Sequence, residues 1–158
     1  MAALDRIDFQ ILGLLRKNAR YSNKEIAEKV GLAPSTCLVR TRLLQKSGAI
    51  TGFKAELNPL VLGVGLQAMI AVRLKRHFKP DVEAFRSHAL ELPEVVRLYH
   101  VAGPIDFLAH VWAKDPEHLR DLAMTAFTAR TEVSHIETEL IFEHVSCREL
   151  PAFLDEAV

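Results

Sequence analysis

The sequence predicts an α+β fold in two units: an N-terminal helix-turn-helix head, winged-helix-like, and a C-terminal ferredoxin-like βαββαβ module. Three observations carry that prediction. Hydrophobic positions recur at helical spacing through residues 1–50, interrupted by a short joint around Gly31. Beyond a Pro-marked turn the pattern becomes strand, helix, strand, strand, helix, strand. Charge divides along the same line: residues 1–54 hold ten Lys/Arg against four Asp/Glu, a net +6, and the rest of the 158 residues hold ten against sixteen, a net −6. The formal total of zero thus conceals a basic third suited to nucleic acid and an acidic remainder with another partner.

In the head, Leu4, Ile7, Ile11 and Leu14/Leu15 give a first helix that stops near Asn18–Arg20. Ser22-Asn-Lys-Glu25 is a capping-box signature that opens a second helix, burying Ile26, Ala27 and Val30 and ending at Gly31. Ala33-Pro34 opens a third, with Pro34 at the first helical position, where its missing N–H costs nothing. Cys37, Thr41 and Leu44 share the inner face of that helix, Ser35, Thr36, Val39, Arg40 and Lys46 point elsewhere, and Ser47-Gly48 closes it. Two helices so closely joined form a helix-turn-helix. Hydroxyls at Ser35 and Thr36 suit phosphates or base edges, and Arg40 and Arg42, one turn on, suit guanine edges or phosphates in the major groove.

Ala49 to Leu57 reads as a short extended segment, closed by Asn58-Pro59. Gly63-Val-Gly65-Leu-Gln-Ala68 matches a dinucleotide fingerprint but leads into a strand instead of a helix, which makes the match a chance one. That strand alternates Val64, Leu66, Ala68, Ile70, Val72 and Leu74 with other residues through Lys75. Pro80-Asp81 starts a helix with Val82, Phe85 and Ala89 on one face, ending before Pro93. Strands follow at about Val95–Ala102 and Ile105–Ala113, joined by a turn at Gly103-Pro104. Asp115-Pro116-Glu117 caps a helix striped by Leu119, Leu122, Ala123, Ala126 and Phe127. In the last strand Ile136, Thr138, Leu140 and Phe142 form the inner face and Glu137, Glu139 and Glu143 the acidic one. Each helix has one apolar stripe, so both cover the same sheet face. The other face, with Met69, Tyr99, Val101, Leu108 and Trp112, is too apolar for open water and is expected to meet another protomer.

No stretch approaches the roughly 20 apolar residues of a membrane span, and the start lacks the layout of a secretory signal. A soluble cytoplasmic protein is expected. Cys37 and Cys147, 110 positions apart, make neither a disulfide framework nor a metal cluster, and Cys37 falls on a core face. The seven histidines lack metal-ligand spacing; His100, His110 and His144 are the strand neighbours that could converge, but hydrogen-bonded structural histidines are the commoner case. No metal and no cofactor is expected. Asp106, inside an apolar strand, needs a partner, either backbone N–H groups of the turn or a ligand. An enzyme would need a nucleophile–base pair or a metal. Asp106 with His100 is the sole pairing to consider, so no enzyme is expected.

These residues carry a resemblance. Leu4-Asp5-Arg6-Ile7-Asp8 with Ile11-Leu12 resembles the L-D-x-x-D-x-x-I-L opening of the Lrp/AsnC (feast/famine) family of transcriptional regulators. Glu25-Ile26-Ala27, Val30-Gly31-Leu32, Cys37 to Leu43 and Gly48-Ala49-Ile50 resemble its helix-turn-helix. Gly52-Phe53 with Leu57-Asn58-Pro59 is similar to its hinge strand, and Gly103-Pro104-Ile105-Asp106-Phe107 to its G-x-x-D-[YF] loop. The resemblance implies domains at 1–50 (DNA binding), 51–62 (hinge strand and linker) and 63–146 (effector binding and oligomerisation), with a tail at 147–158. It implies double-stranded DNA read by Ser35, Thr36, Arg40 and Arg42, and homodimers assembling further, in the family often to octamers. It also implies a small effector, commonly an amino acid, at Gly103, Pro104, Ile105 and Asp106, with Thr128 and Leu140 beside them. Ala33 replaces the family's Ser cap, Thr41 its Val or Ile, and Pro104-Ile105 its Asp-aromatic pair, which removes an acid and an aromatic wall from the pocket. An architectural DNA-binding protein without effector response is the alternative.

Overall fold

Each helix of the head begins where its unpaired N–H groups find an acceptor, or where proline has none to satisfy. In the computed structural model, which describes residues 4–145, the chain divides into a unit running to Glu56 and a second, Leu57–His144. Helix α1 (Arg6–Lys17) is opened by a reciprocal capping box: Asp5 accepts from the Asp8 N–H at 2.9 Å and Asp8 accepts from the Asp5 N–H at 3.1 Å. Helix α2 (Asn23–Val30) carries the expected Ser22–Glu25 box and ends on Gly31, left-handed at φ 70°. Helix α3 (Pro34–Lys46) starts on Pro34 with no side-chain cap at Ala33. Asn23 Nδ2 does not replace that cap, but it donates to the Pro34 carbonyl at 2.6 Å and ties the start of α2 to that of α3. Ile11, Leu15, Ile26, Ala27, Cys37 and Leu44 form the buried core, with Ile7, Leu32 and Ile50 packed against it.

The hinge expected as a strand is not one in this structure. Residues 51–58 are all exposed, Phe53 and Leu57 by more than half, and have no ladder partner among the described residues, and Pro59–Leu62 winds into a short 3-10 turn capped by Asn58. An extended chain becomes a strand only when its N–H and C=O groups pair.

The second unit is a four-stranded antiparallel sheet in the order β2-β3-β1-β4. Its strands are β1 (Leu66–Leu74), β2 (Val95–His100), β3 (Phe107–Ala113) and β4 (Val133–Leu140). Helices α4 (Lys79–Glu91) and α5 (Pro116–Leu122) fill the crossovers, and α5 continues as a π-helical segment, Ala123–Thr128. The expectation of one regular helix there therefore changes at its second half, where the Ala129 N–H reaches back five residues to the Met124 carbonyl at 3.1 Å. The apolar stripe still faces inward.

Register puts Ala68, Ile70 and Val72 beside Val111, Ala109 and Phe107, and both helices pack on that face. Phe85 is the centre, its ring 4.8 Å from Phe107 and 6.1 Å from Phe127. The second and third strands are shorter than expected at their joined ends: β2 stops at His100 and β3 begins at Phe107, because Val101 and Asp106 close the turn with a backbone bond of 2.9 Å. The last strand differs more. It stops at Leu140, with Thr138 and Leu140 exposed and Phe142 outside it and fully open, because β4 is the sheet's edge and the helices cover only its beginning. Residues 147–158 lie outside the described residues.

The two glycines of the fingerprint-like stretch have structural work. Gly63 takes φ 81° to end the 3-10 turn, and Gly65 crosses the backbone so closely that a Cβ there would stand 2.1 Å from the Lys114 carbonyl oxygen. Gly65→Ala is therefore expected to destabilise by about 1–3 kcal/mol. Gly13→Ala, inside α1 with nothing within 4 Å of a new Cβ, is expected to stabilise by about 0.4–1 kcal/mol. Urea unfolding curves of the two variants check both signs.

Candidate functional site

Arg40 lies on α3 at the flank that faces α1. Its Nη1 donates to Asp5 Oδ2 at 2.7 Å and to Asp8 Oδ1 at 2.9 Å. Each carboxylate thus spends one oxygen on the capping box of α1 and the other on Arg40. The Asp8 N–H, followed by the Arg40 guanidinium, holds the Asp5 carboxyl below the usual range, and Asp5 then Asp8 raise Arg40 further. Of the residues expected to read DNA, then, Arg40 is engaged within the head, while Ser35, Thr36 and Arg42 are exposed on α3. Thr41, half-buried, turns its hydroxyl to the Cys37 carbonyl at 2.9 Å. Asp5 and Asp8 are the partners that sequence reasoning missed, although D-x-x-D ahead of an apolar run is itself a capping signal.

In the second unit, Asp106 is 5% exposed. Oδ2 accepts from the Leu74 N–H at 2.8 Å, Oδ1 meets His77 Nδ1 at 2.6 Å, and its own N–H donates to the Val72 carbonyl at 2.8 Å. Backbone N–H is thus one partner of the carboxylate, contributed by β1 and not by the turn. Gly103, at φ 132°, sits with Ala102 and Pro104 on the exposed rim of the turn, and Ile105 is half-buried. Thr128, exposed, precedes the start of β4 at the same end of the sheet, where Leu74 pairs with Val133. Leu140 pairs with Ala68, six residues along β1 from Leu74, roughly 20 Å away at ~3.4 Å per residue. Within one protomer Leu140 and the loop do not line one pocket.

A shallow cavity of about 410 Å³ lies one residue beyond Leu74, among Lys75, Arg76, Arg130, Asp81 and Glu132. Its cations are engaged: Lys75 Nζ donates to the Thr131 carbonyl at 2.8 Å, Arg76 pairs with Asp81 at 3.1 Å and Arg130 with Glu132 at 2.7 Å. Desolvation works against the Glu132 carboxylate, yet backbone and Arg130 hydrogen bonds outweigh it and hold its pKa below the usual range.

The sheet face away from the helices mixes apolar and polar side chains. Met69, Tyr99, Leu108 and Trp112 lie there, as register requires, beside Arg97, Gln67, Glu137 and Glu139. Gln67 Oε1 gathers Trp112 Nε1 at 3.1 Å and His110 Nε2 at 2.9 Å. Burial, then the nearby His144 and Arg97, push the His110 pKa down. The three histidines do not converge as a set. His144 lies 6.3 Å from the His110 ring, whereas His100 stacks on Phe107, and the described residues hold no cluster of metal-ligating type.

The fold defines a class: a helix-turn-helix head joined to a βαββαβ module with one helix-covered sheet face. Residues 4–51 match the winged helix-turn-helix DNA-binding family, and residues 67–151 match the Lrp/AsnC ligand binding domain. The chain is 43% identical to the HTH-type transcriptional regulator AldR of Mycolicibacterium smegmatis over 142 residues, covering 90% of this chain and 83% of that protein. It is similar in structure to a transcriptional regulator of Neisseria meningitidis solved as an L-Met complex, with TM-score 0.86, 29% identity, and 94% and 97% of the two chains covered. AsnC of E. coli superposes with TM-score 0.81 at 25% identity, covering 94% and 98%. The chain belongs to the Lrp/AsnC family and is a transcriptional regulator, not an enzyme, with a DNA-binding head and a ligand-binding module. No helix among the described residues is long and apolar enough to cross a membrane.

Replacing Asp106 tests what the carboxylate does for the loop. Asp106→Ala strands the buried Leu74 N–H and is expected to cost about 1–3 kcal/mol. Faster amide hydrogen exchange at Leu74 checks it, and unchanged protection there would contradict the assignment.

Proposed function

We propose that the protein is a symmetric, DNA-binding regulator whose assembly and DNA affinity respond to an amino acid. The observation that carries this reading is the sorting of α3: Ser35, Thr36 and Arg42 stand outward, and Arg40 is held inward on α1. Ser35 and Thr36 contact base edges or phosphates, Arg42 contacts the backbone, and Arg40 serves them by fixing the helix. Two such heads in a dimer address half-sites one or more helical turns apart, about 34 Å each. The open sheet face around Met69, Leu108 and Trp112 supports pairing with a second copy, because apolar side chains in that number are rarely left to water.

For the effector, the L-Met complex of the Neisseria meningitidis relative supports an amino acid. Gly103, Pro104 and Ile105 offer backbone groups on an exposed turn, and Asp106 orders that turn from beneath. Thr128 lies at the same end of the sheet. Leu140 enters a shared pocket only from another protomer, which makes binding and assembly one event. An effector then acts by favouring one assembly state over another.

A second reading, DNA architecture without an effector, draws on one observation. The buried Asp106 carboxylate already has two partners within the chain, so an amino acid's ammonium group would not find it free. Light-scattering mass and promoter binding, measured with each amino acid in turn, separate the two. The effector reading expects one amino acid to shift both mass and DNA affinity, the latter about tenfold, within the usual 1–3 kcal/mol of coupling. Tight DNA binding that no amino acid alters would establish the architectural reading instead.

A further inference from the structure

The outward face of α3 carries two side chains for which the fold has no use. Val39 and Leu43 stand one helical turn apart and are 56% and 58% exposed, while the core side of the helix is occupied by Cys37 and Leu44. Thr36, three residues before Val39 and also exposed, extends them into a stripe along the same helix face. A lone exposed leucine or valine is ordinary. Two adjacent ones, at the middle of the helix that a helix-turn-helix lays in the major groove, are placed where base edges pass.

Their surroundings select the partner. Helix α3 contains no Asp or Glu, and Arg42 and Lys46 run along one side of the stripe on a head whose residues 1–54 carry a net +6. A polyanion with apolar spots on its surface complements that pattern. The major groove offers one such spot, the C5-methyl of thymine. Arg40, which would otherwise be available for the O6 and N7 of guanine, is turned toward Asp5 and Asp8. The geometry points to Val39 and Leu43, helped by the Thr36 methyl, as readers of thymine methyl groups, so that selectivity on this helix rests on apolar contact. This rests on the proposal that α3 enters DNA.

The test removes the methyls alone. The protein's own promoter fragment is prepared with deoxyuridine in place of every thymidine, which keeps each base pair's hydrogen bonds. The intact protein is expected to bind the uracil fragment about fourfold more weakly per contacted methyl, the weight of one buried carbon group. In a Val39→Ala/Leu43→Ala variant that difference is expected to shrink severalfold, to what the Thr36 methyl and the new alanine methyls retain, with the circular dichroism melt confirming that the head is folded. Equal binding of both fragments by the intact protein, or a full thymine preference in the variant, overturns the inference while leaving DNA binding in place. Loss of oligomer mass in a variant that retains its thymine preference likewise overturns it, and assigns the stripe to a protein contact. Binding to neither fragment defeats the DNA reading itself.

Discussion

The head depends on one shared pair of carboxylates. Asp5 and Asp8 close the N-terminus of α1 through one oxygen each and grip Arg40 of α3 through the other. Cap and clamp therefore belong to the same two side chains. Because Arg40 is 35 residues from Asp5 in sequence, the grip fixes how α3 turns about its own axis. With Arg40 on α1 and Cys37 and Leu44 in the core, Ser35, Val39, Arg42 and Lys46 have only the outward face. Exposed ion pairs contribute little to stability on their own, and the value of this one lies in orientation.

The second unit follows from a different constraint, that each of its helices has a single apolar stripe. Both stripes go to the Phe85–Phe107–Phe127 side, and the sheet's other face is left with no described helix on it. The same one-sided arrangement exposes the edge strand β4 from Thr138 onward, including Leu140. Asp106 works at the opposite end, stitching the turn after β2 to β1 through the Leu74 N–H. A loop held from beneath, on a sheet with an open face, suits a site completed by another copy.

Local signals in the sequence were enough for the helices. The Ser22–Glu25 box, Gly31 and Pro34 act within a few residues of themselves, and the structure places α2 and α3 as they require. Alternation in β1 and the Asp115-Pro116 cap were equally legible. Long-range pairings were not. Nothing local says that Arg40 meets Asp5 and Asp8, or that His77 meets Asp106 across 29 residues, since helical periodicity reports a face and not its occupant. The hinge failed for a related reason: residues 51–58 carry an extended pattern, but a strand needs a partner and the described chain supplies none. The resemblance supplied the family, and the placement of Arg40 came only from the fold.

The central claim, that Arg40 orients the recognition helix instead of reading DNA, is most directly tested by the promoter affinity of an Asp5→Asn/Asp8→Asn variant. Asparagine retains the ability to cap α1, so the change removes the grip on Arg40 and two negative charges together. Charge alone would tighten binding to a polyanion. The account expects weaker binding to the promoter, because α3 loses its orientation. Tighter binding would show that the carboxylates restrain an arginine able to read DNA, and would contradict it.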